Sequence, residues 1–468
     1  MATRAELVAT RAELAAARAE NLELRARLGQ NSSNSSKPPS SDPPSAPTRP
    51  KRKRRGKRKR GGQPGHKASF GSAPERVDQV HEHRPEVCEH CGADLADGEL
   101  TGSCFKHYVY NLPVIQPIVD EHRCLDVACP HCNLVTSATL PAGVPRGEYG
   151  PTVQAMTAML RGELKQSMRQ TSAVMSEILH VPMATGTVAK VQGQVSEVLA
   201  APVAEAVTYA QSQDRANADE TGWREDKKKA WLWVLVTGLV TVFIIRPSRG
   251  AWAAKDLLGE AFRGILTSDR WSGYNWVATE LRQLCWSHLK RDFKSFLDYG
   301  PDAKRLGERL LRETRRMFRL WHRVRDGTLS RAELQLKMKP VRRRIEALLE
   351  EGSRLTCAKV PGMCKQILRL RLALFTFVDH EGIEPTNNAA ERAVRFAVLW
   401  RKGSFGCDSA TGSRFVERFL TVRATLRAQH RDVYSYLIEA CTAALNGTSP
   451  PSLLPVAAHD RAQTLAAA

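Results

Sequence analysis

The 468-residue sequence has no long apolar run, and little negative charge to set against its positive charge. The longest apolar stretch, Trp231 to Ile245, is interrupted by Thr237-Gly238 and is too short to span a bilayer, which excludes a membrane-spanning helix there. It reads instead as two buried strands of a hairpin. No secretory leader pattern opens the chain, so its 11 cysteines are expected in a reducing cytoplasm. Paired cysteines there hold metal more often than they form disulfides. Acidic residues number 49 against 70 Lys and Arg, a formal net charge of +21. That excess favours a polyanionic partner, nucleic acid above all. A chain of this length needs more than one core, so two or three domains are expected.

The front of the chain is polar and modular. Residues 1–29 read as a short coiled coil, with Leu7, Leu14, Asn21 and Leu28 at one heptad position and Asn21 fixing register. Residues 30–75 read as a linker with a basic arm, because the Asn/Ser/Pro stretch cannot bury enough apolar surface to fold. Ten of the twelve residues from Arg49 to Arg60 are Lys or Arg. Such a run stays extended until phosphates neutralise it, so Arg52, Lys53, Arg54, Arg55, Lys57 and Arg58 are candidate DNA contacts. In 76–140, Cys88-x-x-Cys91 and Cys129-Pro130-x-Cys132 each present two thiolates from a tight turn. Together they complete a tetrahedral, structural Zn²⁺ site in a small ribbon, with alternating segments at 106–110 and 118–123 as its strands.

Residues 150–207 are helical in pattern. Two short helices around Leu179-His180-Val181-Pro182, the second opening with Thr185 as its cap, read as a helix-turn-helix-like DNA-binding domain. The chemistry-bearing part comes next. Asp219 precedes the apolar run Ala230-Trp231-Leu232-Trp233-Val234-Leu235-Val236 by eleven positions, and Asp269 follows a second one, Gly264-Ile265-Leu266-Thr267. Glu391 opens a helix after Asn387-Asn388. Acidic residues at the edges of buried strands are out of place unless something binds them. Two strand-borne aspartates and a distant helical glutamate, in so basic a chain, point to a Mg²⁺ (or Mn²⁺) site facing a polyanion.

The expected fold is multidomain α/β: a ribonuclease-H-like catalytic core, a mixed sheet with helices on both faces, in 213–299 and 381–445. A helical insertion fills 300–380, and 446–468 is expected as a disordered tail. Glu220, next to Asp219, points to the opposite strand face and is not expected as a ligand. His288, in Cys285-x-x-His288, reads as a core or surface histidine, or as a residue that positions substrate or holds a helix in place.

Several blocks then stand in a telling order: the Gly61-Gly62-Gln63-Pro64-Gly65-His66 segment, the Cys-x-x-Cys pairs, Asp219-Glu220-Thr221-Gly222-Trp223, Ser268-Asp269-Arg270-Trp271-Ser272-Gly273-Tyr274 and Asn387-Asn388-Ala389-Ala390-Glu391-Arg392. In this the chain resembles the insertion sequence 66 family of bacterial transposases over nearly its whole length. The resemblance implies a DDE transposase with Asp219, Asp269 and Glu391 as Mg²⁺ ligands, cleaving and joining DNA. It also implies recognition of terminal inverted repeats and accessory proteins from the same element. Arg392 and Arg395, beside Glu391, are candidate phosphate donors. A homo-oligomer on target DNA, nucleoid-associated in a bacterial cytoplasm, is the expected setting. The alternative is a catalytically inactive DNA-binding regulator. Ser413-Arg414-Phe415-Val416-Glu417-Arg418-Phe419 departs from the Gly/Ala-rich helix such proteins show after this point.

Overall fold

A computed structural model describes residues 4–28 and 73–455. The basic arm, with Arg52, Lys53, Arg54, Arg55, Lys57 and Arg58, lies outside the described residues. The chain divides into two compact units, residues 47–116 and the remainder. No helix among the described residues is long and apolar enough to cross a membrane.

Helix α1 (Arg4–Leu28) leaves Leu14, Leu24 and Leu28 exposed. Within 73–125 the backbone forms turns and, as its sole β pairing, an isolated bridge between Val87 and Asp94. The segments 106–110 and 118–123, expected as ribbon strands, are not strands. Alternation fits a sheet, but a strand exists only once a partner takes up its ladder hydrogen bonds. A short hairpin follows, β1 (Asp126–Ala128) and β2 (Val135–Ser137), with Cys129 and Cys132 in its turn.

Four helices lead into the sheet: α2 (Pro151–Gly162), α3 (Met168–Ala173), α4 (Thr185–Val198) and α5 (Ala200–Gln211). Ser167 caps α3 in a reciprocal box with Gln170, and a π turn, Val174–Ile178, widens its end. The Thr cap expected on the next helix does not form: Ala184 occupies the N-cap of α4, without a side-chain hydrogen bond. This helix is held by burial of Val188, Val191 and Val195 instead.

The central sheet is mixed. Strands β3 (Arg215–Glu225), β4 (Lys228–Val236) and β5 (Thr241–Arg246) form an antiparallel meander. After α6 (Ala251–Leu258), strand β6 (Ile265–Ser268) pairs parallel to β3, and β7 (Arg282–Leu284) pairs parallel to β6. The resulting order, β5-β4-β3-β6-β7, is compatible with a ribonuclease-H-like core. Helix α7 (Trp286–Ser295) leads into the insertion, α8 (Pro301–Arg325), α9 (Arg331–Ser353), α10 (Val360–Arg369) and α11 (Thr376–Asp379). These helices build a second apolar core around Phe293, Leu310, Met317, Ile345 and Phe377. The chain then returns through α12 (Asn388–Ser404), α13 (Ala410–Ala428) and α14 (Val433–Leu445).

The Ser413–Phe419 stretch has a structural purpose. Backbone N–H groups of Thr241, Phe243 and Ile245 on edge strand β5 donate to Thr425, Thr421 and Glu417 of α13. Four residues of helix rise about 6 Å and two residues of antiparallel strand about 6.8 Å, so the repeats match. An edge that would otherwise offer unpaired donors is closed by a helix face.

Candidate active site

Register brings the two aspartates together. Asn217 of β3 pairs with Thr267 of β6 in parallel, and Asp219 and Asp269 each lie two residues beyond that pair. With a side-chain period of two, both fall on one face at the same height. Asp269 is fixed as a turn residue: its Oδ1 accepts from the Trp271 N–H at 2.9 Å, and the Trp271 indole donates to the Arg249 carbonyl.

Glu391 arrives from the first turn of α12. The preceding residue that anchors it is Asn387, fully buried, whose Nδ2 donates to the Ala218 carbonyl at 2.7 Å. Its Oδ1 accepts from Asn217 Nδ2 at 2.9 Å, and its backbone N–H donates to Cys285 Sγ at 3.2 Å. The side chain of this residue thereby ties α12 to β3, and its backbone N–H ties it to the end of β7. The Asn-Asn-x-x-Glu-Arg block was visible in sequence, but nothing in its residue types indicated which asparagine faces the sheet.

Asp219 feels the charge of the acidic residues around it, while the close potential metal-holding group among the described residues joins Glu391 to Cys285 and His288 and not to the aspartates. Burial pushes the half-buried Asp219 carboxyl well above its ordinary value, and Glu220, Asp269 and Glu391 add to the rise. Among the described residues neither Asp219 nor Asp269 makes an ion pair. Arg249 pairs with Glu220 and Arg270 with Asp292, while the buried Arg282 donates to the Asp269 carbonyl at 3.3 Å and feels the charge of Asp269. Glu220 is buried, bonded also by the Tyr274 hydroxyl at 2.7 Å, and its carboxyl is raised to about 6, by burial first and then by Asp269. It is a structural partner of Arg249, and not a member of the group on β3's other face.

His288 is not a plain core or surface histidine. Its Nδ1 lies 3.6 Å from Glu391 Oε1, Cys285 Sγ lies 3.9 Å from the same oxygen, and Arg291 lies 3.8 Å away. Burial, and then Arg291, lower the imidazole's proton affinity, while burial raises the Cys285 thiol to about 11. Cys285, His288 and Glu391 could together hold a cation. The Cys-x-x-His spacing was the available signal. Arg392 and Arg395 stand exposed on α12, three residues apart.

The cysteine pairs share one turn geometry. Cys88 N–H donates to Ala93 and Gly92 N–H to Cys88, at 2.9 and 2.8 Å; Cys129 N–H donates to Leu134 and Asn133 N–H to Cys129, both at 2.8 Å. Gly92 and Asn133 both take positive φ, 73° and 57°. Backbone N–H groups at His90 and Cys91, and at His131 and Cys132, lower the Cys88 and Cys129 thiols. Each turn lies in a different one of the two units.

Comparison with known proteins places the chain in a family. Residues 2–70 match a family of unknown function, DUF6444. An uncharacterized protein of Sinorhizobium fredii, y4qI, is 28% identical across 47% of this chain and 44% of its own length. Another from that organism, y4hP, is 24% identical across 76% of this chain and 70% of its own length. The chain thus spans less than half the length of the first of these relatives. Residues 146–414, which carry all three carboxylates, match the Transposase IS66 family, and the chain belongs to that family.

Proposed function

We propose that the protein is a transposase that binds the terminal inverted repeats of a bacterial insertion sequence and cleaves and joins DNA at Asp219, Asp269 and Glu391. The observation that carries this is the β3–β6 register, which sets Asp219 and Asp269 at one height on one face, with neither aspartate in an ion pair among the described residues. Such a group fits Mg²⁺ or Mn²⁺, hard cations that take oxygen ligands. When bound by these three residues, such ions supply charge stabilisation to the attacking and leaving oxygens of an in-line displacement. The sheet order supports a ribonuclease-H-like core, with Asp219 on its central strand.

The chain's own residues do the rest. Asn387 orients Glu391 by fixing the start of α12 against β3. Arg291 holds the Glu391 carboxylate from the α7 side, and a neutral His288 adds no competing charge. Arg392 and Arg395, with Arg52, Lys53, Arg54, Arg55, Lys57 and Arg58, donate to DNA phosphates, and the helix pair α3–α4 engages duplex DNA. Cys88, Cys91, Cys129 and Cys132 hold a structural zinc ion, which their shared turn geometry supports. Helix α1 pairs with a second copy through its exposed leucines.

The test is Mg²⁺-dependent joining of a labelled repeat end by purified protein and by Asp269→Asn. Joining by the first alone supports the assignment. Specific binding without chemistry from either, with the element's other products added, would instead favour a DNA-binding regulator.

A further inference from the structure

Helix α8 buries one face through Leu306, Leu310, Met317 and Trp321 and turns a basic stripe outward. Arg312, Arg315, Arg319 and His322 recur at steps of three, four and three, so they share a face. They cover about 15 Å of helix. This stripe is one wall of a cavity of about 690 Å³; Lys290 of α7, with Thr386 and Asn388 at the start of α12, lines it as well. The cavity therefore opens beside the turn that carries Glu391.

Its charge is uncompensated. Among the described residues Arg312, Arg315, Arg319 and Lys290 make no ion pair, although other insertion arginines do: Arg309 with Glu351, Arg344 with Glu313 and Arg342 with Asp379. Glu384 is the carboxylate on the lining. With Arg325, which also lines it, five exposed cations around one concavity repel each other, and an anionic occupant removes that cost. The lining is also partly aromatic: Phe318 is half-buried, and His322 stacks on it at 6.2 Å. An aromatic surface beside cations suits a nucleotide strand better than a free phosphate.

We propose that the cleft between α7 and α8 holds a DNA strand leading into the active site, gripped through its phosphates by Arg312, Arg315 and Arg319. Phosphate contacts position DNA without reading sequence, so the cleft sets where the strand lies and not which repeat is chosen. This rests on the transposase reading above and extends it to the insertion.

The experiment compares the full-length chain with two triple variants of equal charge change. One is Arg312→Gln, Arg315→Gln, Arg319→Gln. The other is Lys337→Gln, Lys339→Gln, Arg343→Gln on the exposed face of α9. Binding to a labelled duplex of arbitrary sequence is followed by anisotropy across a salt series. The stripe variant is expected to lose about 2 to 3 from the slope of log affinity on log salt, since each lost phosphate contact removes about 0.9. The α9 variant should keep its slope, and Arg→Lys at the three stripe positions should restore it. Equal slopes for both Gln triples, or for the stripe variant and wild type, overturn the cleft assignment. Joining of repeat ends is measured in parallel: joining by wild type with no slope change sinks the cleft alone, whereas a slope change without joining sinks the activity and leaves the cleft.

Discussion

Asn387 donates its side-chain N–H to the carbonyl of Ala218, the residue immediately before Asp219. Residues 169 apart in sequence are thereby fixed against each other, with Glu391 one helical turn further on. Asn387→Ala would leave the buried Ala218 carbonyl and Asn217 amide without partners, at about 1–3 kcal/mol for an orphaned group. We expect a lower denaturation midpoint and a loss of strand joining larger than the stability change explains. Asn387→Asp should not rescue it, because a carboxylate cannot donate to Ala218. Full joining by Asn387→Ala at a temperature where it is folded would remove the positioning role.

Asp219→Asn separates stability from chemistry. The wild-type carboxylate is held above its ordinary value by burial and by its acidic neighbours. A carboxyl with a raised folded-state pKa contributes stability that is present below its unfolded value and lost as pH rises through the folded value. At neutral pH the neutral isostere should therefore melt higher than wild type. Added Mg²⁺ should raise the wild-type melting temperature and leave that of Asp219→Asn nearly unmoved. An equal Mg²⁺ response in both proteins would count against Asp219 as a ligand.

Much of the site was legible because acidic residues at the ends of apolar runs are conspicuous. Asp269 stood out that way, and the run before it, expected as a strand over 264–267, forms β6 over Ile265–Ser268. The insertion was legible from apolar residues recurring at helical spacing, such as Leu306, Leu310 and Met317. What could not be read were partnerships set by tertiary packing. Glu417, Thr421 and Thr425 look like unremarkable polar positions of a helix until edge strand β5 is laid beside them. His288 likewise gains its meaning only from the return of α12. The alternating segments at 106–110 and 118–123 misled for the opposite reason: a local pattern says nothing about whether a partner strand exists.

Glu417 makes the edge of the sheet pH-sensitive. Its carboxyl accepts from Ile245 N–H, and burial raises it to about 7 despite Arg414 and Arg246 beside it. By the same sign rule, its contribution is full below about 4.5 and lost as pH climbs to about 7. The shift corresponds to a change on the order of 3 kcal/mol across that window. Urea midpoints at pH 5 and pH 8 should differ more for wild type than for Glu417→Gln, which can still accept the Ile245 N–H. Identical pH dependence in the two proteins would refute the assignment.

The proposed zinc ligand set can be tested one turn at a time. Each orients its sulfurs by the same backbone hydrogen bonds, and in each the first thiol is already biased toward thiolate by N–H donors. If four sulfurs share one ion, Cys88→Ser and Cys129→Ser must each remove the same metal, although the residues lie 41 positions apart in separate units. Metal content measured after gel filtration should fall from one zinc per chain to near zero in both variants, and further exchange of Cys91 or Cys132 should change nothing more. Independent halving by each variant would mean two separate, weaker sites. Unchanged zinc in both would mean that these turns are hydrogen-bonded loops with no metal, and that the folding of residues 76–140 rests on something else.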